Sequence, residues 1–392
     1  MADIEAGADL LTEDGFTAAY TAYSVGGNSE KTDSTRTVQK FSTEAQEKLT
    51  GEPYFDIWSG YWGSPTYADD FTSAACQGTG DFASASVETR SEGCLKGAQY
   101  QNVWMYVVHE LEDAINDCNN GDLEANDGGP HAWDEGWAFY TGSLEGTAVG
   151  GSADGGQMIY ALAEKRCENF GTCTGDSDGD DFSGVSAVNN DLLDLWETGK
   201  DHLLAAECSD AESVKEDIVK LMAVPLVQGM LRYTYLADPS GGAGGDKEAS
   251  ELWAFTAAIL PWIDECDAAV AATVRANTDI TASTAPMSDG YASLKADIES
   301  VYSCMGITCA QVGGLYDSDN GDYYTGFEAC DDATLASASN NSSSESLSSG
   351  GIAGVTIAVA AVAVIAVVGV VVWRKRKKGK SSASVDDNLG NF

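Results

Sequence analysis

Basic residues are scarce in this chain: 21 Lys and Arg stand against 62 Asp and Glu among 392 residues, a formal net charge of −41. Ahead of residue 374 the imbalance is steeper, with 15 basic against 60 acidic residues. Such a surface has no cationic stripe to neutralise phosphates, which excludes nucleic acid as a partner of this part. It attracts cations, and it equally suits a solvated surface in salty water, so charge alone names no ligand. Histidine is rarer still, at three residues. The signatures of common enzyme classes are missing too: there is no Gly-x-Ser-x-Gly elbow, no phosphate loop and no His-Glu-x-x-His zinc helix. No Cys-x-x-Cys pair or Cys/His cluster has zinc-site spacing. Alternating apolar runs joined by tight turns are sparse, which argues against a β fold. The N-terminus, MADIEAGADLL, lacks the basic region and apolar stretch of a signal peptide. The expectation is a chain without its first segment, or already trimmed, rather than a cytosolic one. The alternative is a C-terminal anchor inserted after synthesis, which would leave the cysteines reduced.

The most regular segment present is Ile352 to Trp373, which carries no charge over 22 residues. At about 1.5 Å per residue it reaches roughly 33 Å, enough to cross a hydrocarbon core of about 30 Å. Arg374, Lys375, Arg376, Lys377, Lys378 and Lys380 follow at once and mark a cytoplasmic flank, with the N-terminal part outside. This predicts a type I protein of the plasma membrane. All ten cysteines fall between Cys76 and Cys330, an even number that predicts up to five disulfides. Cys167 with Cys173, and Cys304 with Cys309, are close enough to close small loops. Two overlapping glycosylation sequons begin at Asn340 and Asn341 in a Ser-rich stretch that suits a stalk.

Helical periodicity dominates the rest. Residues 100–118 place Val103, Trp104, Val107, Val108, Leu111 and Ile115 on one face, with Glu110, Asp113 and Asp117 opposite. Similar patterns cover 156–170, 190–208, 213–236, 249–274 and 292–305. Glu135-Gly-Trp137-Ala-Phe139 matches Glu251-Leu-Trp253-Ala-Phe255, and both follow a Gly-rich loop, so the pattern has the look of an internal repeat. The expected fold is all-α: two related helical bundles, residues 1–180 and 181–333, then a stalk over 334–351, a transmembrane helix over 352–373 and a basic tail over 374–392.

Functional side chains concentrate in HAWDEGWAFY, residues 131–140. Pro130 suits a first helical position. His131 then shares a face with Asp134 and Glu135, a set suited to a metal that accepts N and O ligands. The plainer reading is acids complementing a helix dipole, with Trp133, Trp137 and Phe139 as core. His109 and Glu112 lie one turn apart on the preceding helix, and an antiparallel pair would bring both His/acid clusters into one pocket. Tyr140, Tyr160, Glu164, Tyr233 and Tyr235 offer further oxygens; His202, near Asp201 and Glu207, reads as surface or core. Acidic loops at 317–328 and 176–181 depart from the calcium helix–loop–helix pattern.

HAWDEGWAFYTGSLEG, in a Cys-bearing helical duplicate, resembles the algal iron-assimilation protein family, which includes the phytotransferrins of marine algae. The likeness covers about residues 10–330, and the anchor resembles the membrane-bound form. The helical duplicate also resembles imelysin-like proteins, whose His-x-x-Glu motif matches His109 to Glu112. The resemblance implies capture of Fe(III) at the cell surface with carbonate as synergistic anion, then internalisation, with endocytic or reductase partners. Fe(III) is a hard cation that favours carboxylate and phenolate, so His131, Asp134, Glu135, Tyr140, His109 and Glu112 are the expected ligands, although Tyr140 is off the Glu135 face. The amides of Gly128 and Gly129 could hold carbonate; no Arg is identified for it. The tail shows no endocytic signal. The rival readings are an adhesion module without metal and an imelysin-like metal-dependent hydrolase.

Overall fold

The computed structural model describes residues 1–335 apart from 28–34, 143–156, 176–180, 243, 282–286 and 334. The stalk, the sequons, the segment 352–373 and the tail lie outside the described residues. Among the described residues no helix is long and apolar enough to cross a membrane. Contacts divide the chain after Ser342, and all that follows concerns the first unit.

That unit is built from helices. Ala2–Ala8 and Glu13–Ser24 cross so closely that a Cβ on Gly7 would lie 2.6 Å from the Ala19 nitrogen, a contact only glycine permits. Pro53–Trp62 begins with proline at its first turn, and Val87–Gly97 begins where the Ser86 hydroxyl accepts from the Thr89 amide. A π-helical turn, Ala98–Val103, joins it to Trp104–Asn120. Gly129–Thr141, Ile159–Phe170, Ala187–Leu204, Cys208–Ala237 and Asp246–Cys266 complete the main set. The only described strands are the two-residue antiparallel pair Tyr316–Asp317 and Asp322–Tyr323, in agreement with an all-α fold.

Two long periodic segments divide where a local cap wins. Residues 249–274 break at Asp267, whose carboxylate accepts from the amides of Ala269 and Val270 and starts Ala268–Thr278. Residues 292–305 break at Val301 into Tyr291–Ser300 and Tyr302–Met305.

Asp246–Cys266 runs through the middle, buried on every side from Ser250 to Ile263. Helices from both sides of residue 180 share its core. The Trp58 indole donates to the Ala258 carbonyl at 2.9 Å and packs on Trp104 at 5.2 Å. Five disulfides join Cys76–Cys94, Cys118–Cys208, Cys167–Cys173, Cys266–Cys304 and Cys309–Cys330. The short Cys304–Cys309 loop is therefore corrected: helix packing sends each to a more distant partner. The bridge between Cys118 and Cys208 spans 90 residues, a closure whose chain-entropy contribution is about 4–5 kcal/mol.

Candidate metal centre

Trp104–Asn120 and Gly129–Thr141 form an antiparallel pair. A Cβ on Gly129 would meet the Ala114 carbonyl at 2.7 Å, while one on Gly136 would meet Glu110 and Leu111 at 3.6 Å. One face of the second helix is core. The Trp133 indole donates to the Trp196 carbonyl at 2.9 Å, and the Trp196 indole returns a bond to the Trp133 carbonyl at 3.1 Å. Tyr140 lies one heptad on, so it shares that face. It is fully buried, and its hydroxyl donates to Asn189 at 2.6 Å; burial, then Glu164 and Tyr160, hold its phenol well above the ordinary value. It belongs to this aromatic core and not to the face of His131.

The opposite face carries the charges. His131 is exposed, with Nε2 3.8 Å from Glu135 Oε1. Asp134 is taken by Lys200 at 2.9 Å. Half-buried Glu135 turns toward the first helix, where Glu110 and Tyr106 face it. Glu110 is only 5% exposed. Burial and then the charge of Glu135 push its carboxyl up to about 7, opposed by His109 and by a hydrogen bond from Tyr106. The Tyr106 phenol is raised as well, by burial and then by Glu110. Its ring stacks on Phe41 at 3.9 Å and meets Phe139 edge-on at 5.2 Å. Arg36 closes the group from a distant part of the chain, with its guanidinium 5.5 Å from the Phe139 ring centre and 3.9 Å from Glu135. Of this group Arg36 and Tyr106 line a cleft of about 120 Å³, together with Lys40, Glu44 and Lys48 among others; Glu110, Glu135 and the histidines are not in its wall.

His109 and Glu112 have separate partners. The His109 Nδ1 lies 2.6 Å from Glu52, at the start of Pro53–Trp62. Burial lowers the basicity of its imidazole, but the bond to Glu52 and the acids Glu52, Glu110 and Asp113 reverse this and raise it. Glu112 holds the buried Lys215 at 2.7 Å. His109 is therefore linked to the Glu110 group by charge, whereas Glu112 is spent on an ion pair.

Another His/acid group forms at an exposed turn. His202, Glu207 and Asp210 each have a ligand atom within 4.8 Å of the others, and His202 Nδ1 lies 2.7 Å from Glu207. Among the described residues no other set of three His, Cys, Asp or Glu comes so close. Tyr160 and Glu164 stand with Tyr140 on the core side, Glu164 accepting from the Asn189 side chain at 2.5 Å, and Tyr233 and Tyr235 belong to Cys208–Ala237. The Asp317 carboxylate is spent inside its own loop, accepting from the amides of Asp319 and Asn320.

Sequence reasoning missed Glu110, Tyr106 and Arg36. Tyr106 and Glu110 stand four apart, a spacing that was available to find them; Glu110 had been assigned to the solvent face, and its burial corrects this. Nothing local signals Arg36 for this group: besides nearby Phe41, it meets Glu135 and Phe139, about a hundred residues away in the chain.

A family model described as low iron-inducible periplasmic protein matches residues 1–337 of the chain. No curated protein and no solved structure matches it.

Proposed function

Because the chain belongs to the family of low iron-inducible periplasmic proteins, we propose that it captures ferric iron outside the cell between Trp104–Asn120 and Gly129–Thr141. The observation that carries this reading is the charge interaction between buried Glu110 and Glu135 across the two packed helices. Burial and the charge of Glu135 raise the proton affinity of the Glu110 carboxyl, a repulsion that a cation between the two would relieve. In this proposal Glu110, Glu135 and the Tyr106 phenol provide the hard oxygen donors that Fe(III) prefers, and His131 adds a nitrogen. Arg36 is the cation for a synergistic carbonate, in place of the Gly128–Gly129 amides. The protein holds and hands over iron without breaking bonds.

The wider reading keeps the type I anchor at 352–373, delivery at the plasma membrane and internalisation, with endocytic or reductase partners. Two related halves are part of it. Glu135 has a cation beside it that also faces Phe139; Glu251 has Lys96 beside it, 3.3 Å away, which also faces Phe255. The match of Glu-x-Trp-Ala-Phe thus extends to the surroundings of both segments.

The test is a titration of the metal-free full chain with ferric iron, with and without bicarbonate, followed by calorimetry and visible absorption. One saturable site is expected, with an iron–phenolate band absent from Tyr106→Phe. Glu110→Gln/Glu135→Gln should weaken binding at least a hundredfold, two charge-assisted ligands being lost, at roughly tenfold or more each. Arg36→Ala should remove the bicarbonate dependence. Absence of saturable binding would sink the iron reading; loss in His202→Ala instead would move the site to the exposed turn.

A further inference from the structure

The second polar cleft worth argument lies roughly 15 Å along the helix axis from Glu110, at the π-helical turn. It has a volume of about 260 Å³ and is lined by Lys96, Gln99, Gln157, Lys165, Arg166 and Tyr233, among others. Ahead of residue 374 the chain has only 15 basic residues, yet three of them meet here.

Their partners differ. Lys96 is satisfied, held between Glu92 and Glu251. Lys247 also approaches Glu251, at 4.0 Å, so that carboxylate is shared by two lysines. Half-buried Glu5 is the other acid in the cleft wall. Arg166 has no carboxylate within ion-pair distance among the described residues. It is 8% exposed, its Nη1 donates to Asn169 at 2.5 Å, and its Nε has no hydrogen-bond partner. Its guanidinium faces the rings of Tyr233 and Phe255, each at 5.9 Å. Burial lowers its proton affinity, and repulsion from Arg232 adds to this against the help of Tyr233, Tyr100 and the more distant Glu251. A buried cation with an unused donor, in a protein this rich in acids, lacks the anion that would satisfy it.

We propose that this cleft binds a small oxyanion, a carboxylate or phosphate presenting two oxygens on one edge, with Arg166 as the fork and Lys165 as the second cation. The guanidinium matches such an edge with two parallel bonds, which an ammonium cannot do. Exposed Lys165 stands at the mouth, and Gln99 and Gln157, joined at 3.2 Å, add amide groups to the wall. Gln99 belongs to the π-helical turn, a feature frequent at functional sites. The volume is below the roughly 300–1,000 Å³ of pockets for larger ligands, which selects a small ion.

The full chain, freed of iron, is titrated separately with inorganic phosphate and with succinate, at constant sodium chloride. Heat of binding and the thermal midpoint are both followed. Saturable binding of one probe or both, with a raised midpoint, supports the site and tells phosphate from carboxylate. Arg166→Met should lose at least tenfold in affinity, and Lys165→Gln should lose several-fold. Without anion, Arg166→Met should melt at the same temperature as the wild type or higher, because an unpaired buried charge is gone; a purely structural arginine would lower the midpoint. Should that variant fail to fold, Lys165→Gln and Gln99→Ala decide the matter, since both lie at the cleft and neither carries a buried ion pair. No saturable binding up to roughly 10 mM of either probe, well above a 1 mM Kd, overturns the proposal. So does binding that Lys165→Gln and Arg166→Met both leave intact. No iron is present in this titration, so its failure leaves the ferric site untouched.

Discussion

Glu110 carries the highest electrostatic strain of the acids in the proposed metal centre, and that strain has a sign. Its carboxyl is pushed from an ordinary 4.5 up to about 7, first by burial and then by Glu135. A raised folded-state value means the native state holds the proton more tightly than the unfolded chain. The associated stability is fully present below pH 4.5 and is lost as pH rises through 7. In the metal-free protein this loss is on the order of 3–4 kcal/mol, at about 1.4 kcal/mol per unit. His109 is also raised and contributes a loss in the same direction. Glu110→Gln separates the two: urea unfolding at pH 5 and pH 8.5 should show a markedly smaller decline in the variant. Equal declines would mean that Glu110 does not titrate as a buried acid. At this scale part of the site was legible. The spacing of His131 and Glu135 put them on one helix face, and they lie 3.8 Å apart. Glu110 was not, because a charge on an amphipathic helix is normally solvated, and only the second helix buries it. Arg36 could not be read from spacing at all, since tertiary packing alone brings it there.

Gly129–Thr141 shows how one helix divides its duties. Trp133 and Tyr140, seven residues apart, are buried, and His131, Asp134 and Glu135 take the other side. The sequence contained two readings of this segment, aromatic core and charged site; the aromatic core is observed on one face, and the charged side chains stand on the other. Its seat against Ala187–Leu204 depends on Gly199, where an added Cβ would fall 2.1 Å from the Trp133 ring. Trp133 cannot retreat without breaking its reciprocal bonds with Trp196. Alanine gains about 1 kcal/mol over glycine in helix propensity, but overpacking costs about 1–3 kcal/mol, and the lost indole bonds add roughly 1 kcal/mol each. Gly199→Ala should therefore destabilise by about 2–4 kcal/mol in chemical denaturation, with quenching or shift of Trp fluorescence. A stabilised variant would show that the aromatic seat is loose. The helices themselves were legible from periodicity, whereas the breaks at Asp267 and Val301 were not, because a single cap or turn decides them within an apolar pattern that continues on both sides. The connectivity Cys266–Cys304 was hidden for a related reason: pairing follows which helices pack, and spacing only bounds it.

For the whole molecule the governing fact is a net charge of −41, carried by few cations that are largely committed. Lys215 and Lys96 sit in buried pairs with acids, beyond the reach of solvent ions, while most of the remaining carboxylates repel one another through water. Sodium chloride acts unequally on these two populations. The screening length is about 10 Å at 0.1 M and about 3 Å at 1 M, so surface repulsion fades while buried pairs keep most of their attraction. With acids outnumbering bases fourfold ahead of residue 374, repulsive pairs dominate the screened set. The thermal midpoint should accordingly rise by several degrees between 10 mM and 1 M sodium chloride, each 1 kcal/mol being worth roughly 1–2 °C in a unit of this size. Urea midpoints should rise in parallel, and potassium chloride should act like sodium chloride because screening ignores the identity of the cation. A midpoint that falls with salt would show that exposed ion pairs such as Lys200 with Asp134 outweigh the general repulsion. A rise confined to one cation would point to a bound ion in place of screening.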